Sequence, residues 1–153
     1  MPTHTPTQTQ AGVPATHAPL VLDASVAASW AFRDEDHPNA DLALARLRTT
    51  EAVVPALWWF EVRNILVVNE RRRRITEPET AVFLQALARL PITIHRAPES
   101  SEILRLARSH RLSVYDAACL ELAQRNRAEL ATLDADLMQA ARAEGVTVIE
   151  AIA

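Results

Sequence analysis

Apolar residues in this chain come in two textures. Short runs bounded by an acid, a proline or a turn alternate with longer stretches in which apolar positions recur every three or four residues. The short runs are LVLD (20–23), AVVP (52–55), PITIH (91–95), ELATLD (129–134) and VTVIE (146–150). Brief, β-branched and continuously apolar text of this kind predicts strands buried on both faces. Between them the spacing predicts helices over ASVAASWAF after the first run, then 37–50, 55–70, 78–90, 99–110, 114–127 and 136–143. Pro55 is expected in the first turn of its helix, and Gly145 at the end of the last one. The helix over 78–90 is expected to bury Val82, Ala86, Leu87 and Leu90.

Strands alternating with helices predict an α/β domain around a largely parallel sheet of five strands, with no internal repeat and no second domain. In such sheets the crevice that binds ligands lies beyond the carboxyl ends of the strands. Asp23 closes the first predicted strand and Asp134 closes the fourth, so two acids are expected at that end.

Composition narrows the picture. The chain has 153 residues, 49% of them hydrophobic but only 5% aromatic, and two glycines, which suits one helix-rich domain with an aliphatic core. A chain of this length can bury roughly 68–70% of its unfolded surface. The lone Cys119 excludes a disulfide framework and a cysteine-based zinc site, and in its apolar helix it reads as a small core residue in a reducing compartment. No apolar run is long enough to span a bilayer. Residues 1–19, rich in Thr, Pro and Gln, lack the basic and apolar regions of a secretory signal and are expected to be a disordered tail in which His4 and His17 are inert. A cytoplasmic protein is expected, with residues 20–153 as its folded domain.

Two more acids stand where the text is apolar. Glu61 lies in VPALWWFEVRNILVV, with Leu57, Trp58, Asn64 and Ile65 as its helical neighbours. Asp116 lies in LSVYDAACLELA. Each acid has an innocent explanation. Ser113 and Asp116 form the S-x-x-D pattern of a capping box, Asp23, Asp134 or Asp136 can cap the helix that follows it, and Glu61 can pair with Arg63 or edge into water. Their shared placement, at or just after strand ends on one side of a parallel sheet, is harder to dismiss. Two carboxylates about 5 Å apart repel by roughly 3 kcal/mol at an effective dielectric near 20. Four gathered in one pocket demand protonation or a multivalent cation. Hard oxygen donors without cysteine or paired histidine select Mg²⁺ or Mn²⁺, ions suited to hydrolysing phosphodiesters.

The stretches VLDASVAASW, VPALWWFEVRNIL, LSVYDAACLELA and LATLDADLMQAARAEGVTVI resemble, in order and spacing, the four motifs of PIN-domain proteins, in particular the VapC-type ribonuclease toxins. The resemblance runs from about Leu20 to Ile149. It implies a three-layer α/β/α sandwich with a five-stranded parallel sheet, usually as a homodimer. It also implies Mg²⁺- or Mn²⁺-dependent cleavage of RNA, restrained by a VapB-like antitoxin. The family's acidic residues fall here on Asp23, Glu61, Asp116 and Asp134. The accompanying polar residues fall on Ser25, Asn64 and Thr132, which would orient carboxylates or waters, with Asp136 as an auxiliary ligand or a cap.

Other features add less. ERRRRI (70–75) is the one dense basic run, and Arg71, Arg72, Arg73 and Arg74 are either a solvated helix end or a phosphate contact beside the acids. The net charge of −3 does not forbid a polyanionic substrate, since acids and bases nearly balance once the four candidate ligands are set aside. Trp30, Trp58 and Trp59 read as core or dimer-interface residues, and His37, His95 and His110 as surface or strand-end histidines without metal-like spacing. Arg96 and Arg111 have no spacing that assigns them a role. Two other readings remain: a non-catalytic PIN-like binding module, and a receiver-like phosphate-handling domain. The latter needs a lysine near the last strand, and no lysine stands at a suitable strand end.

Overall fold

The structure, a computed structural model, describes residues 18–96 and 98–153. Residues 1–17, where most of the predicted tail falls together with His4 and His17, lie outside the described residues. Where the description begins, the chain is already tied to the sheet: the Pro19 carbonyl accepts the Glu129 amide at 2.9 Å, and the Ala18 carbonyl accepts the Thr50 hydroxyl at 3.3 Å.

The elements follow in the order β1 (Leu20–Leu22), α1 (Ala24–Ser29), α2 (Pro38–Arg46), β2 (Ala52–Pro55), α3 (Trp58–Arg71) and α4 (Glu77–Leu87). Then come β3 (Ile92–His95), α5 (Ser100–His110), α6 (Val114–Asn126), β4 (Glu129–Ala131) and α7 (Ala135–Ala143). The strands form one parallel sheet in the order β3-β2-β1-β4, with Leu20 opposite both Ala52 and Glu129. Because side chains alternate across a strand, Leu20 and Leu22 face one layer of core, with Val26, Val62, Leu66 and Leu87, while Val21 faces the other, with Leu106, Leu120 and Leu137. Helices α1 to α4 therefore cover one face of the sheet and α5 to α7 the other.

Several expectations need correction. The sheet has four strands, not five. The text of 146–150 makes one bridge, Leu130 with Val148, held by the Leu130 amide on the Thr147 carbonyl and the Ile149 amide on the Leu130 carbonyl, both 2.9 Å. Its buried residues, Val146 and Ile149, are three apart, so the segment does not keep the period of two that a strand needs. β4 ends three residues early because Asp134 caps α7 and turns the backbone out of the sheet. Pro55 ends β2 opposite His95 and does not start a helix; α3 begins after a turn at Ala56–Leu57. The buried line of α4 is Phe83, Leu84 and Leu87 with Leu90 beyond it, whereas Val82 is 66% exposed and Ala86 is exposed too. The bulkier Phe83 takes the core, and Val82 lines an open groove with Phe32 and Ile75.

Helix ends show why so few glycines suffice. A full capping box, Thr76 with Glu79, starts α4, while α5 and α6 end on Arg111 (φ 56°) and Arg127 (φ 51°) in the left-handed region.

Candidate active site

Asp23 is the best-fixed of the candidate acids. Its amide donates to the Ala131 carbonyl at 2.9 Å, so β1 hands its last ladder bond to β4 and leaves the side chain at the sheet's carboxyl end. The carboxyl group is 5% exposed. Ser25 Oγ and Thr132 Oγ1 both donate to Asp23 Oδ2, at 2.7 and 2.8 Å. Those hydroxyls are themselves locked, because Ser25 accepts the Leu133 amide at 3.2 Å and Thr132 accepts the Asp134 amide at 3.1 Å. Asp23 Oδ1 faces the buried thiol of Cys119, 4.0 Å away. Ser25 and Thr132 thus hold one oxygen of Asp23 between them.

Glu61 lies in the first turn of α3 and is half-buried. Burial, followed by the charges of Asp23 and Asp116, raises its pKa above the ordinary carboxylate value. Asp116 lies in the first turn of α6, also half-buried, and its amide donates to Ser113 Oγ at 3.1 Å. Burial raises its pKa first, then the charges of Asp23, Asp134 and Asp136, with a hydrogen bond to Ser113 working the other way. Asp134 is exposed and its Oδ1 accepts the Leu137 amide at 2.8 Å, so it is a true helix cap. A cap still has lone pairs to spare, because an ionised carboxylate offers about four acceptor sites. Asp136 is exposed, within reach of Asp116's charge. Asn64, one turn after Glu61, is exposed and makes no hydrogen bond to the acids among the described residues.

The four acids therefore come to one end of the sheet from four separate stretches of chain, and mutual repulsion links Asp116 with Asp23 and Asp134, and Glu61 with Asp23 and Asp116. None of the four takes part in a salt bridge among the described residues, although seven other acids of the protein do. Among the described residues, no three His, Cys, Asp or Glu side chains lie close enough together, as they stand, to hold a metal ion. The donor set is nonetheless of one chemical kind, hard carboxylate oxygen. Burial and the nearby Asp23, Glu61 and Asp116 push the Cys119 thiol well up, so it offers no thiolate to a softer metal.

A match to the PIN domain model covers residues 20–143. The chain belongs to the PIN domain family. Among curated relatives, Ribonuclease VapC3 of Pyrobaculum aerophilum is 30% identical over 123 residues, which span 78% of this chain and 92% of that protein. This likeness places the chain with the VapC-type PIN domains. Among solved structures, PAE2754 from Pyrobaculum aerophilum superposes with a TM-score of 0.63 at 21% identity, over 80% of this chain and 86% of that one. FitAcB from Neisseria gonorrhoeae superposes with a TM-score of 0.51 at 18% identity, over 86% and 96%. These two likenesses show the fold.

The remaining residues of interest are spread around this PIN domain. Arg71 ends α3, ten residues and about 15 Å of helix beyond Glu61. Arg73 is left-handed at φ 60°, and Arg74 is engaged with Asn69, Asp34 and Glu35 while its guanidinium stacks 4.8 Å over Phe32. Trp58 is core; Trp30 is half-buried with its indole N–H on the Ala40 carbonyl; Trp59 is 43% exposed with Arg63 stacked 3.5 Å over its ring. His95 ends β3, His37 pairs with Glu35, and His110 pairs with Glu144.

Sequence reasoning missed one charged pair near the site, Glu121 with Arg125. Glu121 is only 3% exposed, and Arg125 Nε reaches its Oε1 at 2.8 Å. The signal was present in CLELAQR: an acid between two leucines, with an arginine four residues on.

Proposed function

We propose that this PIN domain is a divalent-metal-dependent endoribonuclease and the toxin of a toxin–antitoxin pair, working in the cytoplasm. The observation that carries the reading is the set of four carboxylates at the sheet's carboxyl end, one of them buried, with no arginine or histidine among the described residues paired to any of them. Buried or crowded carboxylates need a cation, and a substrate that arrives with its metal supplies one. The VapC3 relative, named a ribonuclease, supports the choice of RNA.

In this reading Asp23, Glu61, Asp116 and Asp134 hold Mg²⁺ or Mn²⁺, with Asp136 as an auxiliary ligand. The bound ion supplies Lewis acidity toward the scissile phosphate. Ser25 and Thr132 keep Asp23 in one rotamer by holding Oδ2, which leaves the lone pairs of Oδ1, met only weakly by the Cys119 thiol, for the ion. Ser113 fixes the start of α6 and so the direction of Asp116. Asn64 presents its amide to the substrate side of Glu61. Arg71, Arg72 and Arg73 contact a phosphate flanking the cut, while Arg74 is already held by Asp34 and Glu35. A VapB-like antitoxin restrains the toxin, and the active form is a homodimer.

The test is cleavage of single-stranded RNA by the purified protein with Mg²⁺ or Mn²⁺, beside an EDTA control and the Asp116→Asn variant. Cleavage that requires metal and falls about 10³-fold in the variant is expected. Equal cleavage by both proteins would mean a contaminating nuclease and would overturn the reading.

A further inference from the structure

A pocket of about 260 Å³ lies beside the acids, between the turn after β2, the end of β3 and the outer side of α6. Glu61 forms part of its wall, and Tyr115, the neighbour of Asp116, lines it too. Pocket and acidic site therefore share a rim. Leu57, Ile103 and Val114 make its sides apolar, yet the lining also carries the Glu121–Arg125 pair.

Two features here are not explained by folding alone. Val114 and Tyr115 are 50% and 55% exposed, apolar surface left uncovered next to Asp116. Glu121 is withdrawn from water but paired, among the described residues, only with Arg125, which is itself 36% exposed. A pair so buried gains little stability over apolar residues of the same size, because desolvation offsets the attraction. It does fix a carboxylate acceptor and a guanidinium donor side by side. Arg125 Nη1 makes no hydrogen bond among the described residues, so the guanidinium has donors left to offer.

We propose that this pocket holds one unstacked nucleobase of the RNA strand, adjacent to the phosphate being cut, and so selects the sequence that is cut; the proposal rests on the ribonuclease reading above. The base lays its face on Tyr115, since stacking on an aromatic ring is open to every base. Its edge meets Arg125 as donor and the remaining lone pairs of Glu121 as acceptor. The four bases present donors and acceptors in different orders, so a rigid donor–acceptor pair fits one order better than the others. The apolar walls exclude water and make a mismatch costly. The space suits a single heterocycle, and its shared rim with Glu61 puts that heterocycle beside a phosphate held at the acids.

The experiment is cleavage of a randomised single-stranded RNA pool by the full chain with Mg²⁺ or Mn²⁺, with the ends sequenced. The wild type is compared with Tyr115→Ala, which alters only an exposed side chain, and with Glu121→Gln. Wild type is expected to favour one base at a position flanking the cut, and both variants to weaken that preference about fivefold or more while preferences elsewhere persist. A wild type without preference at either flanking position overturns the proposal. So does a preference that neither variant changes, whatever happens to the overall rate; that outcome would leave the pocket to a protein partner. Should the wild type cleave nothing with metal, the ribonuclease reading fails first, and the pocket proposal falls with it.

Discussion

The two ends of one parallel sheet treat acidic side chains in opposite ways. At the amino end, Glu144 closes α7 and accepts from Arg105 through both guanidinium nitrogens, from His110 Nε2 at 2.7 Å and from Gln124 at 3.2 Å. Hydrogen bonds from Arg105 and then His110 hold its pKa down, to about 2. At the carboxyl end, Asp23, Asp116 and Asp134 are held by hydroxyls, a thiol and a backbone amide, and none of the four acids has a cationic partner among the described residues. There Glu61 and Asp116 shift upward. An acid that serves the fold is given its cation by the chain. The acids at the carboxyl end are given no such cation among the described residues, and Glu61 and Asp116 carry the cost of each other's company.

That contrast can be broken by experiment. The largest effect is expected from metal binding itself. Mg²⁺ or Mn²⁺ at about 100 times its dissociation constant should raise stability by about 2.7 kcal/mol, or roughly 5–10 °C in melting temperature. The Asp23→Asn, Asp116→Asn double variant should lose that increment. A thermal shift that persists in the double variant would move the ion elsewhere.

Next comes the structural end. A carboxylate whose pKa is depressed on folding adds stability above its unfolded value, near 4.5, and loses it as the pH falls toward about 2. Replacing Glu144→Gln should therefore cost about 1–2 kcal/mol at pH 7, discounted for its exposure to solvent, and the cost should vanish in urea titrations near pH 2. A pH-independent cost would mean that packing, not charge, ties α5 and α6 to α7.

The smallest effect has the opposite sign. With EDTA present, Glu61→Gln combined with Asp116→Asn should stabilise the protein by about 0.5–2 kcal/mol at pH 7, and with Mg²⁺ or Mn²⁺ in place of EDTA the same variant should not cleave. Raised carboxylate pKa values cost stability as pH rises through them, so the gain should shrink below about pH 4, where both forms of the wild type are protonated. Destabilisation at neutral pH would show that these acids do support the fold.

Legibility in the sequence varied with how local the governing physics is. The strands β1 to β3 could be read because brief apolar text between turn residues admits few other structures. The text of 146–150 reads the same way, yet it makes only one bridge, since its buried residues are spaced by three and its ends are tied elsewhere, Glu150 to Arg142 and the Ala151 amide to Asn39. In α4 the periodicity allowed two adjacent faces, and the choice of Phe83 over Val82 rested on which neighbours had space for a ring. Among the acids, Asp23 was visible at a strand end, whereas Asp134, read the same way, stands three residues past β4 as the cap of α7. Glu121 went unnoticed because a lone acid between leucines reads as an ordinary helix position until its burial is known.

What the sequence determined alone was the order of the seven helices and the first four strands and the four motifs, because hydrophobic period, turn residues and motif spacing act over a few residues at a time. What only the tertiary structure decided was company: which acids received a cation from another element and which did not, which face of α4 turned inward, and that Tyr115, Glu121 and Arg125 line a pocket beside Glu61. Burial and charge pairing are set by residues distant along the chain, so their outcome is fixed when the sheet and its two helical layers close.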